Sequence, residues 1–566
     1  MVDRDARAGA HPRQGDPAGR QSGADTVPGL LAAAVQEHGA SPCLQMVGAA
    51  ALSYAEVYER AGVAAARLAG VGVEPGQRVL IMLRNSPEAV FVWLGVNLAG
   101  AVEVSLNTGY LGKPLEHAIN LTQAELIVTS SEFMPLIEAA LPRLEFLKKV
   151  VLMDAEAGRA GHTPPGLLVH RYGSLADAAL PACAARAGDC ASVIFTSGTS
   201  GPAKGVQMPH GQVTRLARNT ALRTGIGAHD VFFCFYPLYH MAGKFMSVLA
   251  TMSVGGKVIL DNGFAPDTWL NRIREYGATL TAAHGPMLEM VYALEPSPED
   301  RNHKLRTVRT APFPKRIAAQ FEERFGVKGM EVWGMTEIGI PCWSPLDEPL
   351  RLGSCGRIDQ DQYELSVVDP ETDMPLGCGD VGELVVRPRL PWTVMLGYLG
   401  MPEKTVEAWR NLWFHTGDSG YVDADGHVYF VDRVKERIRR KAENISAGDI
   451  EAAALEHPAV RQAGAVGVPS GLQGDDEIAL FIVPEPAAGI TPEDLLGFLV
   501  HRLPHYMIPR YIALVDDLPR TATGKLQRVM LKEARFREQL WDRKQHGISI
   551  RQLREAGSGA ETGQGA

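Results

Sequence analysis

Through the first two-thirds of the chain, short β-branched apolar runs alternate with longer stretches whose apolar residues recur every three or four positions. The runs at 78–83, 125–129, 149–153, 192–195 and 257–260 predict strands, and their near-continuous apolarity predicts burial on both faces. Segments 54–68 and 87–98 carry helical spacing instead. Strand–helix alternation of this kind predicts α/β architecture, with sheets and helices in stacked layers. The longest apolar run, 89–102, is interrupted by Asn97. It falls short of the ~20 residues that span a bilayer, so it predicts a buried helix and no integral membrane association.

The pattern changes after about residue 355. Short strands with turn signals follow, at 379–387 and around Asp425-Gly426 within 420–431. Beyond Asp432 come a basic segment, a helix from Ala447, strands at 463–468 and 477–483, and a helix from Thr491. The expected organisation is a large N-terminal unit over 28–432 and a small, mobile α+β C-terminal unit over 433–546. Residues 1–27 are a polar tail expected to be disordered, and 547–566 a tail expected to be mostly so. The first tail lacks the apolar segment of about 7–15 residues that a signal peptide needs.

Composition narrows the function. Fifty-six Lys and Arg against 65 Asp and Glu give a net charge of −9, which argues against coating nucleic acid or an anionic membrane. The seven cysteines include no C-x-x-C pair, so neither a disulfide scaffold nor a zinc ribbon is expected and a reducing cytoplasm is.

The most informative segment runs Val193-Ile-Phe-Thr-Ser-Gly-Thr-Ser-Gly-Pro-Ala-Lys-Gly-Val206. A strand feeds a loop of Thr196, Ser197, Gly198, Thr199, Ser200 and Gly201 that closes on Lys204. Glycines allow close backbone approach, amides and hydroxyls bond phosphate oxygens, and lysine adds charge. No Ser or Thr follows the lysine, so this is not a Walker A loop.

With this loop the chain resembles the adenylate-forming superfamily of acyl-CoA synthetases, nonribosomal-peptide adenylation domains and luciferases. Further motifs follow in that family's order: Tyr236-Pro-Leu-Tyr-His-Met-Ala-Gly243, Trp333-Gly-Met-Thr-Glu337, Gly382-Glu-Leu384 and Gly397-Tyr398 with Pro402-Glu-Lys-Thr405. Then come Trp413-Phe-His-Thr-Gly-Asp418, Asp432-Arg-Val-Lys435, Glu443-Asn-Ile445 and Pro519-Arg-Thr-Ala-Thr-Gly-Lys525. The resemblance implies that a carboxylate attacks the α-phosphate of ATP, pyrophosphate leaves, and the acyl adenylate passes its acyl group to a nucleophile, often coenzyme A.

The same resemblance implies the roles. The loop from Thr196 to Lys204 holds the β- and γ-phosphates, Thr336 bonds the α-phosphate, and Glu337, with Thr196 near, holds Mg²⁺. Trp333, flanked by Gly334 and Met335, stacks on adenine beside Ala311 and Pro312, and His240 walls the acyl pocket. Asp418 accepts from both ribose hydroxyls, with Arg433 in support, and Lys525 bridges the carboxylate and the α-phosphate. Lys435 is the hinge about which the C-terminal unit rotates between half-reactions, bringing 441–444 to the adenylate.

Two positions depart from the pattern. Many members carry Gly-Gly-Ala-Pro where this chain reads Arg309-Thr-Ala-Pro312, a feature shared with the branch resembling carnitine/crotonobetaine-CoA ligases. A Gly-Gly before Glu-Asn is Lys441-Ala442 here, and one methyl group narrows the path of a pantetheine thiol. The leading expectation is an acid–CoA ligase for a small or medium organic acid, free-standing because no carrier segment follows Lys525. A second is adenylation with another acceptor, as in an amide synthetase or a diazotase that activates nitrite for an aryl amine. A third, a non-catalytic nucleotide-binding homologue, fits poorly with Glu337, Asp418, Arg433 and Lys525 all being retained.

Overall fold

The apolar runs form the middle of two large sheets. The computed structural model describes residues 25–154, 166–179, 184–196, 202–315, 317–433, 438–440, 443–445, 447–471, 475–486, 489–519, 526 and 528–554. One sheet has eight strands, with Arg78–Met82 at its centre between Val102–Ser105 and Leu126–Thr129, all parallel. Lys149–Leu152 extends it on one side, and Cys190–Thr196 with antiparallel Lys204–Pro209 on the other. The second sheet has nine strands and a parallel middle of Lys257–Leu260, Val231–Cys234, Leu280–Ala282, Thr307–Thr310 and Lys328–Met335.

The run at 89–102 is divided. Its helix, Pro87–Leu98, starts at an Ser86 cap that accepts from the Ala89 amide at 3.1 Å. It ends before Gly100, whose φ of +73° turns the chain into the strand Val102–Ser105. The helix is buried from Ala89 to Asn97 and packs on Tyr54–Gly70. A Cβ at Gly95 would lie 2.7 Å from Ala64 Cβ and 2.8 Å from Ala61 O, so only glycine permits this approach. Among the described residues no helix is long and apolar enough to cross a membrane.

A buried ion pair ties the eight-stranded sheet to a helical segment. Glu103, on the eight-stranded sheet, accepts from Lys244, which opens the π-helical segment Lys244–Leu249. Ser105 and Ser192 also donate to Glu103, and Lys244 donates to Ser105 at 2.6 Å. Removing one partner would leave a bare buried charge, a change that costs about 3–5 kcal/mol.

Downstream, Tyr363–Val368, Gly382–Pro388, Phe414–Val422 and Val428–Arg433 form an antiparallel sheet, with Gly426 at φ +80° in the expected turn. The C-terminal segment builds its own sheet from Val460–Pro469, Asp476–Pro484, Tyr511–Leu514 and Trp541–Asp542. The helices Ala447–Leu455 and Pro492–Leu499 pack there, the second capped by Thr491 and Asp494. Its apolar clusters are separate from those of the large unit.

Candidate active site

Parallel strands leave their carboxyl ends as the natural floor of a ligand crevice. Here Ala282, Thr310 and Met335, each closing its strand, line a cavity of about 1850 Å³. The C-terminal unit covers it with Glu443, Ile445 and Asp449. Of the residues marked in the sequence, Thr196, His240, Ala311, Pro312, Trp333, Gly334, Met335, Thr336, Glu337 and Asp418 all face this one space.

Gly334 allows Trp333 to sit where it does. A Cβ there would meet Gly339 O at 2.1 Å, because the chain doubles straight back into the strand Gly339–Trp343. The Trp333 indole Nε1 donates to Asp418 Oδ2 at 2.9 Å. Two segments 85 positions apart thus share one polar contact at the cavity wall. Asp418 is only 3% exposed, and its amide donates to Thr416 Oγ1 at 3.0 Å.

Glu383, from the Gly-Glu-Leu motif, shapes the turn into Asp418. It accepts from the Gly417 amide and from His415 Nδ1, both at 2.9 Å. Burial pushes this carboxyl up, but the bonds from His415 and Gly417, with Arg410 near, outweigh burial and hold it below the usual range. The motif therefore acts on the turn rather than on a ligand.

Glu337 is held by Tyr398, whose hydroxyl donates to Oε1 at 2.9 Å. Lys204 Nζ stands 4.3 Å from the centroid of that same Tyr398 ring. The lysine closing the glycine-rich loop and the acidic residue of Trp-Gly-Met-Thr-Glu therefore meet on one aromatic side chain. Gln212 Nε2 donates to Thr336 O at 2.9 Å, a support that no motif announces. Beside Ala311, His284 Nδ1 donates to Ala311 O at 3.2 Å, and Tyr236 meets the His284 ring edge-on at 5.0 Å.

Arg433 pairs with Asp418 across the antiparallel register. Ser197, Gly198, Thr199, Ser200, Gly201, Lys435, Ala442 and Lys525 lie outside the described residues. So does the expected carboxyl-terminal tail beyond residue 554.

The contact between the two units joins motif residues to groups that sequence reasoning did not single out. Tyr239 donates to Glu443 Oε1 at 3.4 Å, Asn107 Nδ2 donates to the Tyr506 hydroxyl at 3.1 Å, and Lys113 pairs with Glu456 at 2.7 Å. Burial raises the Glu443 carboxyl, with His240 and Tyr239 opposing, and burial pushes Asp449 from 3.8 up to about 6. As far as docking supplies that burial, these carboxyls hold their protons more tightly in the docked state. Docking therefore weakens as pH rises from about 4 through about 6. Small-angle scattering should show a larger radius of gyration at pH 8 than at pH 5, and Asp449→Asn should reduce the difference. A smaller radius at pH 8 would contradict this assignment.

Comparison with known proteins gives the family and the fold. The family described as "AMP-binding enzyme" matches residues 31–399, and its C-terminal domain matches 449–525. The crotonobetaine/carnitine–CoA ligase of Salmonella paratyphi B is 30% identical over 492 residues, covering 85% of this chain and 93% of that protein. Among solved structures, o-succinylbenzoate CoA synthetase from Bacillus subtilis superposes with a TM-score of 0.76 at 23% identity, covering 89% of this chain and 98% of that one. The amide bond synthetase McbA from Marinactinospora thermotolerans gives 0.74 at 25%, covering 89% and 99%.

Proposed function

The chain belongs to the AMP-binding enzyme family, and from that membership we propose that it is an ATP-dependent, AMP-forming acid–CoA ligase. The observation that carries the reading is the convergence of Trp333, Thr336, Glu337 and Asp418 on one cavity, with Trp333 bonded to Asp418. Trp333 packs on adenine, and Asp418 accepts from the ribose hydroxyls. Thr336 bonds the α-phosphate, while the loop from Thr196 to Lys204 holds the β- and γ-phosphates.

A carboxylate and a triphosphate repel, so the site must supply aimed positive charge and donors. Lys525 provides the charge that bridges the reacting carboxylate and the α-phosphate. A magnesium ion fits here through Glu337, since such ions commonly take one carboxylate and fill the remaining positions with phosphate oxygens and water. It would neutralise phosphate charge; Glu337 and Thr196 would hold it. Once pyrophosphate leaves, the C-terminal unit rotates about Lys435 and presents its face around Ala442 and Glu443. His240 walls the acyl pocket. The location proposed is the cytoplasm, in keeping with the sparse cysteines.

Ala442 supports a second reading, in which the acceptor is an amine rather than CoA or in which nitrite is activated for an aryl amine. The fold shared with an amide bond synthetase is compatible with the amide version. Pyrophosphate release across an acid panel, with CoA, with amines, and with nitrite plus an aryl amine, separates them. CoA-dependent thioester is the expected product. Pyrophosphate without any thioester would overturn the CoA assignment, and no release at all would overturn the ligase reading.

A further inference from the structure

Arg309 sits just before the end of the strand Thr307–Thr310 and lines the cavity, yet its side chain is only 4% exposed. Nη1 donates to Met246 O at 2.7 Å, and Nη2 donates to Ser247 Oγ at 3.2 Å and Ala242 O at 3.4 Å. All three acceptors belong to the helical stretch that directly follows His240. Every acceptor is neutral. Among the described residues no carboxylate pairs with this guanidinium.

The other buried cation of this region is treated differently: Lys244 has Glu103. A buried charge without a counter-ion is destabilising, because desolvation is not offset by an opposite charge. Burial lowers Arg309 to about 10, which still leaves it cationic at neutral pH. A guanidinium also carries five N–H donors in a planar fork, more than its three acceptors use. Tyr236 and His284 line the same cavity, so the surroundings of Arg309 are polar as well as apolar.

Building on the acid-activating reading above, we propose that Arg309 sets acid specificity and that the substrate is a short acid carrying a second carboxylate. That carboxylate docks on the guanidinium while the first faces the nucleotide. A purely aliphatic tail of the same length would meet a desolvated cation and gain nothing from it. No bond is made or broken at Arg309, so its effect is on selection and positioning.

The test uses matched acids, malonate with propionate, succinate with butyrate, and glutarate with pentanoate. Pyrophosphate release gives kcat/KM for the wild type, Arg309→Met and Arg309→Lys, and thermal shifts with each acid give binding. The wild type should prefer at least one diacid over its partner by about 10- to 100-fold, the scale of a hydrogen bond between charged groups. Arg309→Met should lose that preference without a matching loss on the monoacid, and Arg309→Lys should keep part of it. Equal or better use of every monoacid by the wild type would overturn the proposal. So would an equal loss on both acids in a folded Arg309→Met, which marks a structural role. If a diacid stabilises the wild type, but not Arg309→Met, and no acid releases pyrophosphate, the diacid subsite stands and the ligase reading falls.

Discussion

Asp418→Ala is expected to raise the KM for ATP by about 100- to 1000-fold, measured as pyrophosphate release at saturating acid. The carboxylate is engaged before any ligand arrives. Asp418 Oδ2 accepts from the Trp333 indole at 2.9 Å in a wall that is nearly closed to solvent. Removing it leaves the indole donor bare and frees the ring proposed to pack on adenine. The same change deletes the proposed acceptor for two ribose hydroxyls, and hydrogen bonds to a charged group contribute about 1.5–3 kcal/mol each. Asp418→Asn keeps an acceptor for Trp333 without the charge, so it should fall between the wild type and the alanine variant. Trp333→Phe removes only the indole donor and part of the ring, and its effect should be smaller again. An unchanged KM in Asp418→Ala would remove this residue from the nucleotide site.

Lys525→Ala should lower the rate of adenylation by about 1000-fold while ATP binding changes little. A charge that bridges the attacking carboxylate and the α-phosphate is most valuable where negative charge concentrates, in the transition state. Its loss therefore falls on kcat rather than on affinity. Transfer from a synthetic acyl adenylate to the acceptor should survive the substitution. In the arrangement observed, the C-terminal unit turns Glu443 and Asp449 towards the cavity, whereas Leu526 packs in a cluster of its own unit. With rotation of the C-terminal unit between the half-reactions, as proposed, a Lys525 variant should damage only the first. Rapid-quench measurement of acyl adenylate formation checks the first half, and product formation from the supplied adenylate checks the second. Loss of both steps would mean that Lys525 serves the site as a whole.

Local signals made much of the fold legible. Strands such as Lys257–Leu260 coincide with their apolar runs because burial on both faces leaves no polar alternation to blur them. The helix Pro87–Leu98 starts at its Ser-Pro signal, but apolarity alone runs on to residue 102. Gly100 makes the break, through a positive φ that hydrophobic spacing does not encode. In the site, contiguous motifs brought Trp333, Thr336, Glu337 and Asp418 into view, since their spacing along the chain is short within each motif. The supports were not legible. Gln212 reaches Thr336 across 124 positions, and Lys244 meets Glu103 across 141. Arg309 looked like a missing glycine in the sequence. Only its burial and its neutral acceptors show it as a cation facing the cavity.

In the proposed reaction a carboxylate oxygen bonds to the α-phosphorus of ATP. An acid labelled with ¹⁸O in its carboxylate follows that oxygen directly, because the bond that later breaks joins it to the acyl carbon. With an accepted acid and acceptor, mass spectrometry of the nucleotide product should find one ¹⁸O in AMP and none in pyrophosphate. Unlabelled AMP, or ADP and phosphate in place of AMP and pyrophosphate, would contradict the account.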